Sequence, residues 1–421
     1  MGRMFVGILS SALASAALAQ DFREVFTSVT PVNFDSGGAI SRQFHLNAES
    51  YFRMATVARR AEARPLPYTP RADLARLPVR HAGGEAGFAD YAAQDPLLDG
   101  VVVLHDGVVV FEAYPNMEPW QRHFAWSVTK VVTSTALAAL ADYGLVDMDA
   151  PIERYLPVLA KSDWAGIRLQ DVADMASGMD CLDSDGYQEP TTCIYTMEES
   201  LGITAPTGRR PDFIEHLSKM RRHGPPGTKN EYVSANTNVL GLVIEAVSGK
   251  PYAATLQDLL WNPIGAESDA LVAISGAGYA YASGGLHARL RDVARFGQIY
   301  TQPEVSGVLS AATLARIQDG GIALAPDELE SMKQAMGDDL PVRASWQWDL
   351  VWSDGAMFKG GYSGQGLYVD PARRLVIAWF GTGLDFSART NEMLPVARQI
   401  ARSGLFEASG SRRPGSSAER R

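Results

Sequence analysis

Apolar and polar positions change rhythm several times along the chain. From Leu98 to Tyr114, LDGVVVLHDGVVVFEAY, two β-branched runs flank His105-Asp106-Gly107, which predicts a hairpin. From Ser127 the rhythm turns helical and runs to Gly144. Short helices are expected over 169–176, ended by Gly178, and over 212–221. SANTNVLGLVIEAVSG predicts a helix from Ser234 to Ser248 closed by Gly249. A further helix is expected near 252–260, and HARLRDVARFGQIY (287–300) gives another. Residues 345–383 read as strands, with turns at Asp354-Gly355 and Asp370-Pro371, before a helix in RTNEMLPVARQIAR (389–402). Strands open and close the chain and helices fill its middle. That order predicts an α/β (α+β) fold: one antiparallel sheet made from distant stretches, flanked by helices, with a mostly helical region inserted.

The ends break this pattern. Residues 1–19 read as a secretory signal, with Arg3 as the basic start, Met4 to Leu13 as the apolar run and Ala17-Leu18-Ala19 as the cleavage site. That run is too short to anchor in a bilayer, and no later segment is long and apolar enough to span one. An exported protein, periplasmic or secreted, is expected to begin near Gln20. Residues 20–95 are rich in Arg, Pro and Ala and read as loops with a helix or two around the main body. The tail 406–421 is polar and is expected to be disordered, which leaves 20–405 as the folded domain.

Charge and cysteines narrow the class. The formal charge is −10, so nucleic acid and anionic lipid are poor partners. There are two cysteines, Cys181 and Cys193. Two buried thiols are one reading, and the leader favours the other, a disulfide closing a short polar loop.

The candidate chemistry lies in Ser127-Val128-Thr129-Lys130. No zinc-type His pair, phosphate-binding Gly-Lys loop or Gly-x-Ser-x-Gly elbow occurs; GGYSGQG fails the last with Gln365. On a helix, Ser127 and Lys130 share one face. A serine hydroxyl reacts only if something takes its proton, and a lysine does so only if its pKa falls. With 31 serines and 7 lysines, chance gives Ser-x-x-Lys in about one such chain in two. A helix cap with a solvent-facing lysine is therefore a fair alternative. Two further stretches shift the balance: NEYVSANTNVLG, with Tyr232 and Ser234, and FKGGYSGQG, with Lys359 to Tyr362.

In this order the three stretches resemble the serine β-lactamase and penicillin-binding protein superfamily. The likeness is to its class C-like branch, with carboxylesterases and 6-aminohexanoate-dimer hydrolases, and covers most of Leu98 to Arg402. It implies the β-lactamase/transpeptidase-like fold and catalysis by Ser127, Lys130 and Tyr232. It also implies substrate or oxyanion roles for Tyr187, Ser234, Lys359, Gly361 and Tyr362. Ser234 stands where class C β-lactamases carry Asn, and Gly360 where they carry Thr, which argues against penicillins as the main substrate. Tyr187, in the cysteine loop, matches the tyrosine that assists the leaving amine in the dimer hydrolases.

The resulting expectation is a serine hydrolase of small amides or esters that needs no cofactor or metal. In it two ammonium groups would favour a Tyr232 tyrosinate. A β-lactamase or D-peptidase, or an inactive binding protein, are the other readings. His287 could line the site but reads rather as a helix-start or core residue, Glu198 and Glu199 could meet a substrate ammonium or be ordinary surface acids, and none joins the catalytic set.

Overall fold

Residues 23–209, 211–384 and 393–407 are described in a computed structural model of the chain. The expected leader and residues 408–421 of the tail lie outside them, as do residues 389–392 of the last expected helix.

The main body is built on an eight-stranded antiparallel sheet. Its order is Val108–Ala113, Leu98–His105, Leu375–Gly381, Gln365–Asp370, Met357–Gly361, Trp348–Val351, Arg343–Ser345 and Ile322–Ala323. The hairpin near the start of the chain thus pairs with its last strand, Val102 opposite Ala378. Every residue of Gln365–Asp370 and Leu375–Gly381 is buried, because both faces of the sheet are covered. Alternation divides them: Leu367, Val376 and Ala378 face one core, and Tyr368, Ile377 and Trp379 the other. Helix Leu290–Thr301 covers the first face so closely that a Cβ on Gly297 would lie 2.5 Å from Val376 Cγ1. Helix Met393–Arg402 covers the second with Val396, Ala397 and Ile400.

The expectation of a single sheet needs correction. A second, four-stranded sheet runs Met54–Val57, Ala270–Ala273, Leu286–Arg289, Arg122–Phe124. Its strands are three or four residues long and far apart in sequence, so no local alternation marks them. His287 accordingly lies in a strand, opposite Phe124, and the helix expected from 287 begins only at Leu290. The segment 20–95, read as loops and helices, also holds the two-stranded pair Pro78–His81 and Gly84–Gly87.

The helical region departs from the reading in detail. The helices expected over 169–176 and 212–221 are shorter, Leu169–Ala173 and Phe213–Lys219. Helix Cys193–Leu201 was hidden by its polar lead-in. The Thr192 side chain caps it by accepting the Tyr195 N–H. Cys181 and Cys193 form the expected disulfide, with Cα atoms 5.1 Å apart. Phe406, placed in the tail by composition, is buried beneath the Arg71 guanidinium and packs with the body.

Candidate active site

The chain reaches Ser127 from the second sheet. After strand Arg122–Phe124, the Ala125 N–H donates to the Leu286 carbonyl at 2.8 Å, and Trp126 turns left-handed at φ 46°. Such a conformation costs about 1–3 kcal/mol and persists only where the surroundings enforce it. Here the Trp126 indole N–H donates to His45 Nε2 at 2.9 Å, and the ring meets Phe124 edge-on and stacks on Phe34. His45 is 3.2 Å from the Thr382 hydroxyl, which donates to Asp99. Asp99 also accepts from Arg42 at 2.6 Å and pairs with His123 at 3.0 Å. His45, Asp99 and His123 stand close enough together to suggest metal ligands, but hydrogen bonds to protein groups already account for their geometry.

A short turn, Trp126–Val128, leads into helix Thr129–Asp142, and no side chain caps that helix. The Ser127 hydroxyl instead accepts from Lys130 Nζ at 3.0 Å. The cap reading of Ser127 therefore fails, and the pair meets one turn apart as the spacing implied.

Lys130 is buried, and among the described residues no carboxylate makes an ion pair with it. It donates to the Ser283 carbonyl at 2.8 Å and lies 5.0 Å from the centre of the Tyr232 ring. Burial, aided by the charge of Lys359, lowers its pKa to about 7, against the opposing pull of Asp183, Asp349 and Glu198. Lys359 is also buried, 4.5 Å from the centre of the same ring, and donates to the Tyr232 hydroxyl at 2.9 Å. It pairs with Asp349 at 2.5 Å, and that carboxylate also accepts the Gly360 N–H at 2.9 Å. Burial lowers the Lys359 pKa while Asp349 opposes the shift.

Tyr232 does not meet the expectation of a tyrosinate. Burial raises its pKa well above 10, and the charges of Asp349 and Asp183 raise it further. Removing phenolate from water outweighs the two lysines, one of which is held only weakly charged and the other neutralised by Asp349. Tyr232 is a neutral donor at ordinary pH.

Gly361 closes the arrangement. A Cβ there would lie 2.8 Å from the Ala125 carbonyl oxygen. Only a glycine lets the Lys359 strand come this close to the turn before Ser127. The contact sets Tyr362 beside that turn, with its ring 5.6 Å from that of Trp126.

A cavity of about 230 Å³ opens over Ser127. Tyr187 and Tyr362 line it, as expected of substrate-contacting groups, together with Phe34, Trp126 and Tyr281. Lys130 and Tyr232 adjoin Ser127 without lining it. Ser234, expected to contact substrate, is buried, and its hydroxyl donates to Asp183 at 2.5 Å. Asp183 had no motif to mark it, and neither did Asp349.

Glu198 is not the surface acid of one reading: it is buried in the cavity wall and accepts the Tyr281 hydroxyl at 2.6 Å. Burial raises its pKa to about 8. Glu199 is instead held by Thr207 and Arg209, and His287 is a core residue 3.1 Å from Glu49. The N-terminal segment supplies cavity residues Pro31, Val32, Phe34 and Asp35, which the reading of 20–95 as a wrapping did not foresee.

Such a sheet, with a lysine buried against a serine at the head of a helix, defines a β-lactamase/transpeptidase-like class of protein. The chain belongs to the beta-lactamase family, whose model matches residues 92–402. It is 30% identical over 331 residues to the 6-aminohexanoate-dimer hydrolase of Paenarthrobacter ureafaciens, covering 77% of this chain and 80% of that one. It is 29% identical over 142 residues to the esterase/beta-lactamase LipL of Mycobacterium tuberculosis, across 32% of this chain and 30% of the relative. Among solved structures, a Bacillus anthracis protein with the provisional name 6-aminohexanoate-dimer hydrolase superposes with a TM-score of 0.75. It covers 90% of this chain and 96% of its own at 23% identity, a likeness of fold. Membership places the chain among serine-type hydrolases of amide or ester bonds. No helix among the described residues is long and apolar enough to cross a membrane.

Proposed function

We propose that the protein hydrolyses a small amide or ester through an acyl-enzyme on Ser127. The observation that carries this is the 3.0 Å contact between Lys130 Nζ and the Ser127 hydroxyl, with burial drawing the lysine to about 7. Near neutral pH a large share of Lys130 is a free amine, able to accept a proton.

Ser127 Oγ attacks the carbonyl carbon as its proton passes to Lys130. The C=O electron pair moves onto oxygen, where the backbone N–H groups of Ser127 and Tyr362 receive it. Losing one such donor costs about 3 kcal/mol. As the oxyanion collapses, the C–N or C–O bond breaks, and the neutral Tyr232 hydroxyl gives its proton to the leaving atom. The Lys130 ammonium then reprotonates Tyr232. Water repeats the sequence on the ester, giving its proton to Lys130 and releasing the acid from Ser127. Lys359, charged through Asp349, holds the Tyr232 hydroxyl in place.

The cavity supports a small substrate without a carboxylate near the reacting bond. At about 230 Å³ it lies below the usual size of ligand pockets. Aromatic rings and the acids Asp35 and Glu198 line it, and among the described residues no Lys or Arg does. A neutral or amine-bearing amide or ester fits such walls better than a β-lactam carboxylate. We further propose export to the periplasm or medium, supported by the leader pattern and by a disulfide that needs an oxidising compartment.

The test is Ser127→Ala assayed with p-nitrophenyl acetate, linear amides, D-peptides and nitrocefin. The reading expects ester or amide turnover in the wild type and its loss in the variant. Wild-type rates in the variant would remove Ser127 from the mechanism. Turnover of nitrocefin alone would move the substrate to β-lactams.

A further inference from the structure

Asp183 sits inside the loop closed by Cys181 and Cys193, and its carboxylate is buried. Three hydrogen bonds reach its carboxylate, and its backbone N–H makes another across the site. Its own N–H donates to the Tyr232 carbonyl at 3.1 Å. Its carboxylate accepts the Ser234 N–H at 2.7 Å and the Ser234 hydroxyl at 2.5 Å. It also accepts the Tyr187 hydroxyl.

The helix Ser234–Ser248 gives this arrangement its logic. Its cap residue is Val233, which offers no side-chain acceptor. Asp183 supplies the acceptor from a distant segment, and a carboxylate on the first N–H of a helix is favoured by the helix dipole. The same carboxylate then reaches Tyr187, whose ring forms part of the cavity wall. One buried acid thus joins the loop, the tyrosine facing the substrate and the segment carrying Tyr232.

We propose that Asp183 is a positioning residue for hydrolysis: it anchors Tyr187 against the bound substrate and the Tyr232–Ser234 segment beside Ser127. This rests on the reading of Ser127, Lys130 and Tyr232 as the reacting set. Lys130 meets Ser127, the Ser283 carbonyl and the Tyr232 ring, and the charges acting on it are those of Lys359, Asp183, Asp349 and Glu198. Among the carboxylates, Asp183 acts most strongly to keep the Lys130 proton in place. Removing its charge makes the ammonium less stable, so the lysine loses its proton at lower pH.

The experiment compares Asp183→Asn, Asp183→Glu, Tyr187→Phe and the Asp183→Asn/Tyr187→Phe pair, with Ser127→Ala in the same assay. Asp183→Asn is expected to lower kcat/KM roughly tenfold and to move the acid limb of its pH profile to lower pH. Asp183→Glu keeps the charge, so its limb stays near the wild-type position while kcat falls. Tyr187→Phe is expected to cost less in the Asp183→Asn background than in the wild type, because the two residues act as a unit. Additive losses would overturn the proposal, wherever the limb falls. If Asp183→Asn does not fold, additivity between Asp183→Glu and Tyr187→Phe overturns it instead. If Ser127→Ala is inactive while Asp183→Asn matches the wild type, only the role of Asp183 falls. If Ser127→Ala stays active, the reacting set itself is wrong.

Discussion

Lys130, at the head of its helix, and Lys359, on the strand opposite, are both buried and both face the Tyr232 ring. Their surroundings differ in one group. Lys359 has the Asp349 carboxylate at 2.5 Å, whereas Lys130 touches only a hydroxyl and a carbonyl. An ammonium buried with a carboxylate keeps its charge, and one buried among neutral dipoles gives up its proton easily. The site thereby obtains a fixed cation and a titratable base from the same residue type. The fixed cation orients Tyr232, and the titratable one serves Ser127.

Substitutions can break this contrast. Lys130→Met should lower kcat/KM by on the order of 10²–10⁴, the usual worth of a general base. It should leave the melting temperature unchanged or raise it, because burial disfavours the Lys130 ammonium more than the surrounding carboxylates favour it. Hydrolysis kinetics and thermal melts on the same samples check both signs. A large loss of stability with little loss of rate would make Lys130 structural.

Asp349→Asn is the converse change. It leaves the Lys359 ammonium buried without its partner and should cost about 2–4 kcal/mol in chemical unfolding, since half of a buried pair is worse than none. An unchanged unfolding midpoint would show that Asp349 does not compensate Lys359. Reduction of the Cys181–Cys193 bond acts outside both lysines and should cost about 2–3 kcal/mol, as expected for a loop of this length. Unfolding with and without reductant measures it.

A titration separates the two lysines directly. Lys130 titrates near 10.5 when unfolded and at about 7 when folded. Between these values the unfolded chain binds the extra proton. Stability attributable to Lys130 should therefore rise as pH climbs through that window and level off above it. The rise should disappear in Lys130→Met, read as the difference between the two proteins' stability curves. An equal rise in both would assign it to another group.

The sequence was most readable where chemistry and local periodicity coincide. Ser127 and Lys130 were found because three residues of helix bring them together, Tyr232 because it stands just before a helix, and Lys359 because two glycines follow it in a strand-rich stretch. Asp183, Asp349 and Glu198 carry no such mark. Asp183 and Glu198 acquire their environments from segments far along the chain, Ser234 and Tyr281, and Asp349 meets Lys359 only once the strands on either side of a turn pair. The second sheet was missed for the same reason, since Met54–Val57 is defined by Ala270–Ala273, more than two hundred residues away. The tyrosinate expectation failed differently. It counted the charges near Tyr232 and left out the cost of burying a phenolate, which is the larger effect.

The central claim is that Ser127 carries the acyl group. It is tested most directly by mixing the protein with p-nitrophenyl acetate, quenching in acid during the first turnover, and mapping the peptides by mass spectrometry. The claim predicts one acetyl group on the peptide containing Ser127, absent from Ser127→Ala. An acetyl group trapped reproducibly on another residue, with Ser127 unmodified during turnover, would contradict it.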